Sequence, residues 1–183
     1  MSTTEQDIIE RCSRGEREAF RSIVEKYQRM IFSLALKLLC DEEDAKDAVQ
    51  DTFVRAWTHL SQYDTSMALS TWLYTIASRL CLDRLRRNSR IVPLANDESV
   101  LHRFAADTDS QRTLENSEWV ALVRTMADGL APKQRLVFTL SMLEGLPSKE
   151  VEQITGMTAV QVKSNLYAAR QIIRKRLKDF GYE

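Results

Sequence analysis

The side chains in this sequence that bear on chemistry are charged, and they gather into two opposed groups. Residues 41 to 51 hold six acids and one lysine, whereas residues 163 to 178 hold six bases and no acid. Clusters of this kind support ionic recognition, acid for a basic partner and Lys/Arg for phosphate, although complementarity to helix ends is the simpler alternative for both. The formal net charge is zero, so attraction to nucleic acid would have to come from the distribution of charge and not from its total. Covalent chemistry is not provided for: His59 and His102 are isolated, and no nucleophile, metal or phosphate-loop spacing is present. Cys12, Cys40 and Cys81 are widely spaced with no C-x-x-C pair, which argues against a disulfide framework or a zinc site and suits a reducing cytoplasm. Lying on or beside apolar helix faces, they read as buried thiols in preference to redox sensors.

Helices must position these charges. Gly and Pro number five and three, and no alternating β-branched runs with hairpin turns occur, so an all-α fold is expected. Within 41–60, Ala45, Ala48, Val49, Thr52, Phe53, Ala56, Trp57 and Leu60 recur at three-and-four spacing and form one stripe to bury. Asp41 is expected to cap this helix, with Glu42, Glu43 and Asp44 in its first turn, where unpaired amides favour carboxylates. A second helix carries Leu69, Trp72, Leu73, Ile76, Ala77 and Leu80 and ends in Arg84, Leu85, Arg86 and Arg87. Ahead of both, 4–13 reads as a short helix stopped near Gly15. Residues 16–39 read as a long one, whose Phe20, Ile23, Val24, Tyr27, Ile31, Leu34, Ala35 and Leu38 pack against the other two. The polar, acidic start is not a secretory signal, and 30–40 is too short and contains Lys37, so no membrane insertion is expected.

Periodicity lapses over 88–113, where Pro93 is mixed with Asn, Asp and Ser and a flexible linker is expected. It resumes at Leu114 and continues through Trp119, Leu122, Val123 and Met126 to Leu130. Pro132 then opens a helix that buries Leu136, Val137, Leu140 and Leu143 and ends at Gly145. A short helix over 147–154, a turn at Thr155, Gly156 and Met157, and a long basic helix from Thr158 make a helix-turn-helix arrangement, whose second helix enters the major groove by its N-terminal end. Thr158 and Gln161 have capping-box spacing, and Val162, Leu166, Ala169 and Ile173 supply the inner face. A plain three-helix bundle shows the same breaks. The chain therefore divides into two small helical domains, 1–87 and 114–183, joined by 88–113.

The order of residues is more specific than the charge. Asp44, Ala45, Asp47, Gln50, Phe53 and Trp57, followed by Trp72, Leu73, Ile76, Ala77, Asp83 and Arg86, resemble region two of the extracytoplasmic-function (ECF) sigma factors, small bacterial transcription initiation subunits. Leu130, Arg135, Phe138, Leu140, Glu144, Gly145, Glu150, Gly156, Val162, Lys163, Ser164, Leu166, Ala169 and Arg170 resemble region four of the same family, and Pro132 fits with a one-residue slip. In the family's order and at its separation, the two matches cover nearly the whole chain.

This resemblance implies a non-enzymatic, cytoplasmic factor without metal or cofactor, whose partners are core RNA polymerase, promoter DNA and an anti-sigma factor. Asp44, Asp47, Gln50 and Arg55 would dock on the polymerase clamp helices; a solvated helix face is the alternative for each. Tyr63, Asp64, Arg79, Arg84 and Arg86 would hold the separated strand of the downstream, minus-10 element, with Phe53, Trp57 and Trp72 in the core. Gln161, Lys163, Ser164 and Tyr167 would read the upstream, minus-35 element, while Arg170 and Arg174, with Lys175 and Arg176, would meet its backbone. The linker would run through the polymerase cleft or serve as a passive tether. The chain departs from the family pattern at Arg79 (usually Asn), Glu152 (usually Ala), Gln161 (usually Thr), and Asn165 and Ala168 (each usually Arg). Arg79, Glu152, Asn165 and Ala168 leave open a sigma-like protein-interaction module with weakened promoter binding, and the helix-turn-helix by itself leaves open a one-component regulator.

Overall fold

The computed structural model describes residues 5–91, 124–127 and 129–179. Among them every regular element is helical: α1 (Glu5–Ser13), α2 (Arg17–Leu39), α3 (Glu42–Thr58), a 3-10 turn (Leu60–Gln62), α4 (Leu69–Ile91), α5 (Pro132–Phe138), α6 (Ser148–Thr155) and α7 (Ala159–Asp179). The expected linker beyond Ile91 and the expected helical residues 114–123 lie outside the described residues. α4 continues to Ile91, so the first residues of the expected linker, 88–91, are helical.

The apolar stripes set the packing of the N-terminal helices. α2 buries Ala19, Ile23, Tyr27, Ile31, Leu34, Ala35 and Leu38 and contacts α1, α3 and α4. Four of the five buried positions of α3 are small or short, Ala45, Ala48, Thr52 and Ala56, with Phe53 the exception. Short side chains let α3 approach its neighbours closely, and the Thr52 hydroxyl is satisfied within the helix by donating to the Ala48 carbonyl at 2.6 Å. Phe20 meets Phe53 and Trp57 edge-on, with ring centroids 6.4 and 5.1 Å apart. Leu69, Leu73, Ala77, Leu80 and Cys81 of α4 complete this core. Full burial of an aliphatic side chain such as Ile31, Leu34 or Leu73 contributes about 1.5–3 kcal/mol, and all three are fully buried.

Local caps fix the element ends. Asp41 accepts from the Asp44 backbone N–H at 2.9 Å, as the opening of α3 required. α2 ends at Cys40, the only non-glycine among the described residues with positive φ, at 52°. All three cysteines are buried, and no disulfide joins them.

The C-terminal helices differ from expectation at one turn. α5 passes into a π-helical segment, Thr139–Leu143, closed by the Glu144 N–H donating to the Thr139 carbonyl at 2.9 Å. The wider turn buries Thr139 and Leu140 and leaves Leu143 only half-buried, where an unbroken α-helix had been expected to bury it. The chain then reverses at Gly145, whose φ of 70° is strained for any side chain. α6 and α7 cross behind a second left-handed glycine, Gly156, with Val151, Ile154 and Val162 buried between them.

The two halves are docked on each other. α6 and α5 lie against α4, and the π segment lies against α2, so Leu136, Val137, Leu140, Val151, Ile154 and Val162 belong to the same apolar cluster as Ile31, Leu34 and Leu73. At the junction the Glu144 carboxylate accepts from Lys37 Nζ at 2.6 Å, from the Tyr74 hydroxyl at 3.0 Å and from the Ser33 hydroxyl at 3.3 Å. The Lys37 and Glu144 side chains are only 15% and 10% exposed. The Thr71 hydroxyl donates to Glu150 Oε1 at 2.9 Å, Arg124 donates to the Cys40 carbonyl, and Arg135 Nη2 lies 2.8 Å from Cys40 Sγ.

Candidate polymerase and nucleic-acid interfaces

On α3, burial of Ala45, Ala48, Thr52 and Ala56 turns Asp47, Gln50 and Arg55 outward, and all three are exposed. Asp44 is half-buried and does not stand alone. Arg84 reaches across from α4, donating to the Asp44 carbonyl at 3.1 Å, to Asp44 Oδ1 at 3.3 Å and to Asp51 Oδ2 at 2.8 Å, with Asp47 Oδ2 at 4.0 Å. Its side chain is 17% exposed. Arg84 thus ties α4 to α3 and neutralises part of the acidic face, an arrangement far from that of a cation presented to phosphate. Lys46, the one base in the acidic stretch, lies 2.8 Å from Glu43 and 3.0 Å from Glu42, and these carboxylates hold its ammonium above the ordinary lysine value.

The residues expected at the downstream element do not form one cluster. Tyr63 and Asp64 sit in the loop before α4, whereas Arg79 and Arg86 lie on the outer face of α4, Arg79 roughly 15 Å further along the axis at 1.5 Å per residue from Leu69. Both arginines are exposed; Arg86 has Asp83 at 3.4 Å. The loop is built by its own polar groups. Asp64 Oδ1 accepts from the Ser66 N–H at 2.9 Å, and that bond holds its carboxyl below the usual carboxylate range. The Tyr63 hydroxyl donates to the Met67 carbonyl, and its ring packs on Trp72 with centroids 5.1 Å apart; burial pushes the phenol up. Trp72 is accordingly a packing residue. Between this loop and α1 lies an open recess of about 220 Å³, lined by Glu5, Gln6, Ile9, Tyr63, Ser66 and Leu69 among others.

On α7, Val162, Ala169 and Ile173 face the core, and Lys163, Ser164, Tyr167, Arg170 and Arg174 are exposed on the opposite side. No acid occurs on α7 before Asp179. The Thr158–Gln161 capping box forms in both directions: Thr158 N–H donates to Gln161 Oε1 at 3.0 Å, and Gln161 N–H donates to Thr158 Oγ1 at 3.3 Å. Gln161 therefore commits its carboxamide oxygen to the cap, which separates it from the five side chains exposed on the outer side. Asn165 donates to the Gln161 carbonyl at 2.8 Å, and Arg170 Nη2 rests 3.0 Å from Met142 Sδ. Glu152 is half-buried and accepts from the Ser148 hydroxyl one turn back on α6, at 3.2 Å.

The sequence offers no signal for the cluster of Ser33, Lys37, Tyr74 and Glu144, in which Glu144 lies at least 70 positions from the other three. Among the described residues no group of His, Cys, Asp and Glu is arranged to hold a metal ion, and no helix is long and apolar enough to cross a membrane.

Two helical units, the second ending in a capped helix-turn-helix, each carry a match to one region of the sigma-70 class. Residues 23–91 match the family described as Sigma-70 region 2, and residues 121–173 match that described as Sigma-70, region 4. The chain belongs to the ECF sigma factors. It is 29% identical over 181 residues to the ECF RNA polymerase sigma factor SigW of Bacillus subtilis, covering 93% of this chain and 95% of that protein. It is 29% identical over 187 residues to the RNA polymerase sigma-H factor of Pseudomonas aeruginosa, covering 97% of each. In fold it is similar to CnrH in complex with the cytosolic domain of CnrY, with a TM-score of 0.68, 24% identity and coverage of 94% of this chain and 96% of that one. It is also similar to the sigma factor RpoE solved with the anti-sigma factor NepR from Bartonella quintana, with a TM-score of 0.62, 20% identity and coverage of 87% and 96%.

Proposed function

We propose that this chain lends sequence selectivity to core RNA polymerase, acting in the cytoplasm as a non-enzymatic transcription initiation subunit. Asp47, Gln50 and Arg55, with Asp44 at the edge, form the polymerase-binding face of a domain within 1–87. The loop carrying Tyr63 and Asp64, with Arg79 and Arg86, meets the minus-10 element, while Arg84 acts by holding α4 against α3. Lys163, Ser164 and Tyr167 read the minus-35 element, with Arg170 and Arg174 on its phosphates and Gln161 stiffening the tip of the reading helix. An anti-sigma factor is the expected regulator. The observation that carries this reading is the pair of sigma-70 matches, in order, over a chain whose last helix is capped, cationic and exposed on the side away from the core. The exposed cations and the absence of an acid before Asp179 support phosphate contact, since such contacts set affinity and register.

Purified protein mixed with core polymerase should co-elute with it and, in that complex only, protect upstream and downstream segments of one promoter class from cleavage. Co-elution with no sequence-selective protection would favour the second reading, an interaction module with weakened promoter binding. Asn165 supports that second reading: the family arginine is replaced by an amide engaged with the backbone of its own helix. Failure to co-elute would remove both.

A further inference from the structure

Four large hydrophobic residues are exposed among the described residues, and two of them, Val160 at 75% and Tyr167 at 67%, share one face of α7. At about 100° per residue, positions seven apart are separated by only roughly 20° around the axis, whereas the buried Val162 and Ala169 point the opposite way. Single exposed apolar residues are ordinary, but Val160 occupies a particular place. It is the second residue of α7, at the end that enters a groove first, and Lys163 and Ser164 lie one turn behind it. The polar neighbour at this tip, Gln161, has its carboxamide oxygen bonded to the Thr158 N–H, which leaves Val160 as the forward side chain. Packing does not account for it, since Val160 is outside the apolar cluster, and β-branched residues are poor choices for exposed helix positions.

We infer that Val160 is a specificity-determining residue that contacts the C5-methyl group of a thymine in the upstream promoter element. The inference rests on the proposed promoter-binding function and names the chemistry of one position within it. Base edges in the major groove present donors and acceptors with one apolar exception, the thymine methyl. Valine has no donor or acceptor, so thymine is the only base that offers it a favourable contact. A helical valine holds a single χ1 rotamer, so its methyl groups are already fixed in the free protein and little freedom is lost on contact.

Uracil removes the methyl group from thymine and leaves every hydrogen bond in place, which makes the test direct. The full chain with core polymerase is bound to its own promoter duplex, and each upstream thymine is replaced in turn by deoxyuridine. One replacement should weaken binding by the wild-type protein about threefold to fourfold, the effect of removing one buried methyl group, and should weaken Val160→Ala by a smaller factor, since alanine keeps a single, shorter methyl. Alanine is the better helix former at this exposed site, so helicity should be unchanged and loss of folding does not confuse the result. The assignment is overturned if no deoxyuridine replacement weakens wild-type binding, if the same replacement weakens Val160→Ala equally, or if the upstream element contains no thymine. A complex that co-elutes and selects a promoter while failing this test sinks the role of Val160 alone. A complex that selects no promoter sinks the functional reading and this inference with it.

Discussion

Replacing Glu144 with alanine should release the C-terminal helices from the N-terminal ones. The Glu144 carboxylate accepts from Lys37, Tyr74 and Ser33 at 2.6, 3.0 and 3.3 Å, and the Lys37 and Glu144 side chains are 15% and 10% exposed. Removing one partner of so buried a pair takes the carboxylate from the Lys37 ammonium and leaves it the Leu143 carbonyl at 3.4 Å, and breaking a pair of this kind costs about 3–5 kcal/mol when burial is complete. The residual solvent access puts Glu144→Ala near the lower end, about 3 kcal/mol, or roughly 150-fold in the docking equilibrium. The double replacement Lys37→Met with Glu144→Leu removes both charges together and should recover most of that loss, because apolar substitution of a whole buried pair is often neutral or better. Small-angle X-ray scattering checks the opening and urea unfolding checks the energy: Glu144→Ala should give a larger radius of gyration and a lower midpoint, with the double variant near wild type. Identical scattering and midpoints for wild type and Glu144→Ala would refute the view that this cluster holds the halves together.

Three further outcomes follow from the described surfaces. Asp47→Ala with Gln50→Ala should weaken association with core polymerase several-fold and leave helicity unchanged, since both residues are exposed on α3; co-purification at wild-type yield would remove them from the binding face. Lys163→Ala should cost about 1–3 kcal/mol and relax selectivity at one upstream position, whereas Arg174→Ala should weaken all sequences alike and lower the salt dependence, both read by binding to promoter variants over a salt series. Burial pushes the Cys81 thiol up to about 12 from an ordinary 9.0. At pH 8 it should therefore react with an alkylating reagent roughly a thousandfold more slowly than in the unfolded chain. Because the folded value is the raised one, the stability linked to this thiol is fully present below about 9 and is lost as pH rises toward about 12.

What was legible in the sequence is what short-range physics decides. The stripes of α2, α3 and α4 follow from spacing alone, and the Asp41 cap and the Thr158–Gln161 box follow from residue types three apart. The same local rule reaches further at Gln161: a side chain that closes a capping box has its oxygen committed, which leaves only its amide nitrogen to meet a base. Arg84 opens the basic run at the end of its helix and reads in sequence as a DNA-facing cation, yet three carboxylates on a helix about forty residues earlier claim it. Only the α3–α4 packing reveals that. The π turn at Thr139–Leu143 has no local signature in TLSML, and the Glu144 cluster joins residues 70 to 111 positions apart, beyond the reach of any periodicity argument.

The central claim, that this chain gives polymerase a promoter specificity, is tested most directly by adding the purified protein to core polymerase on genomic DNA and mapping transcript starts. A set of new starts that share one upstream and one downstream element is predicted, and the set should be lost with Asp47→Ala and Gln50→Ala combined. Starts indistinguishable from those of core polymerase alone would contradict the claim.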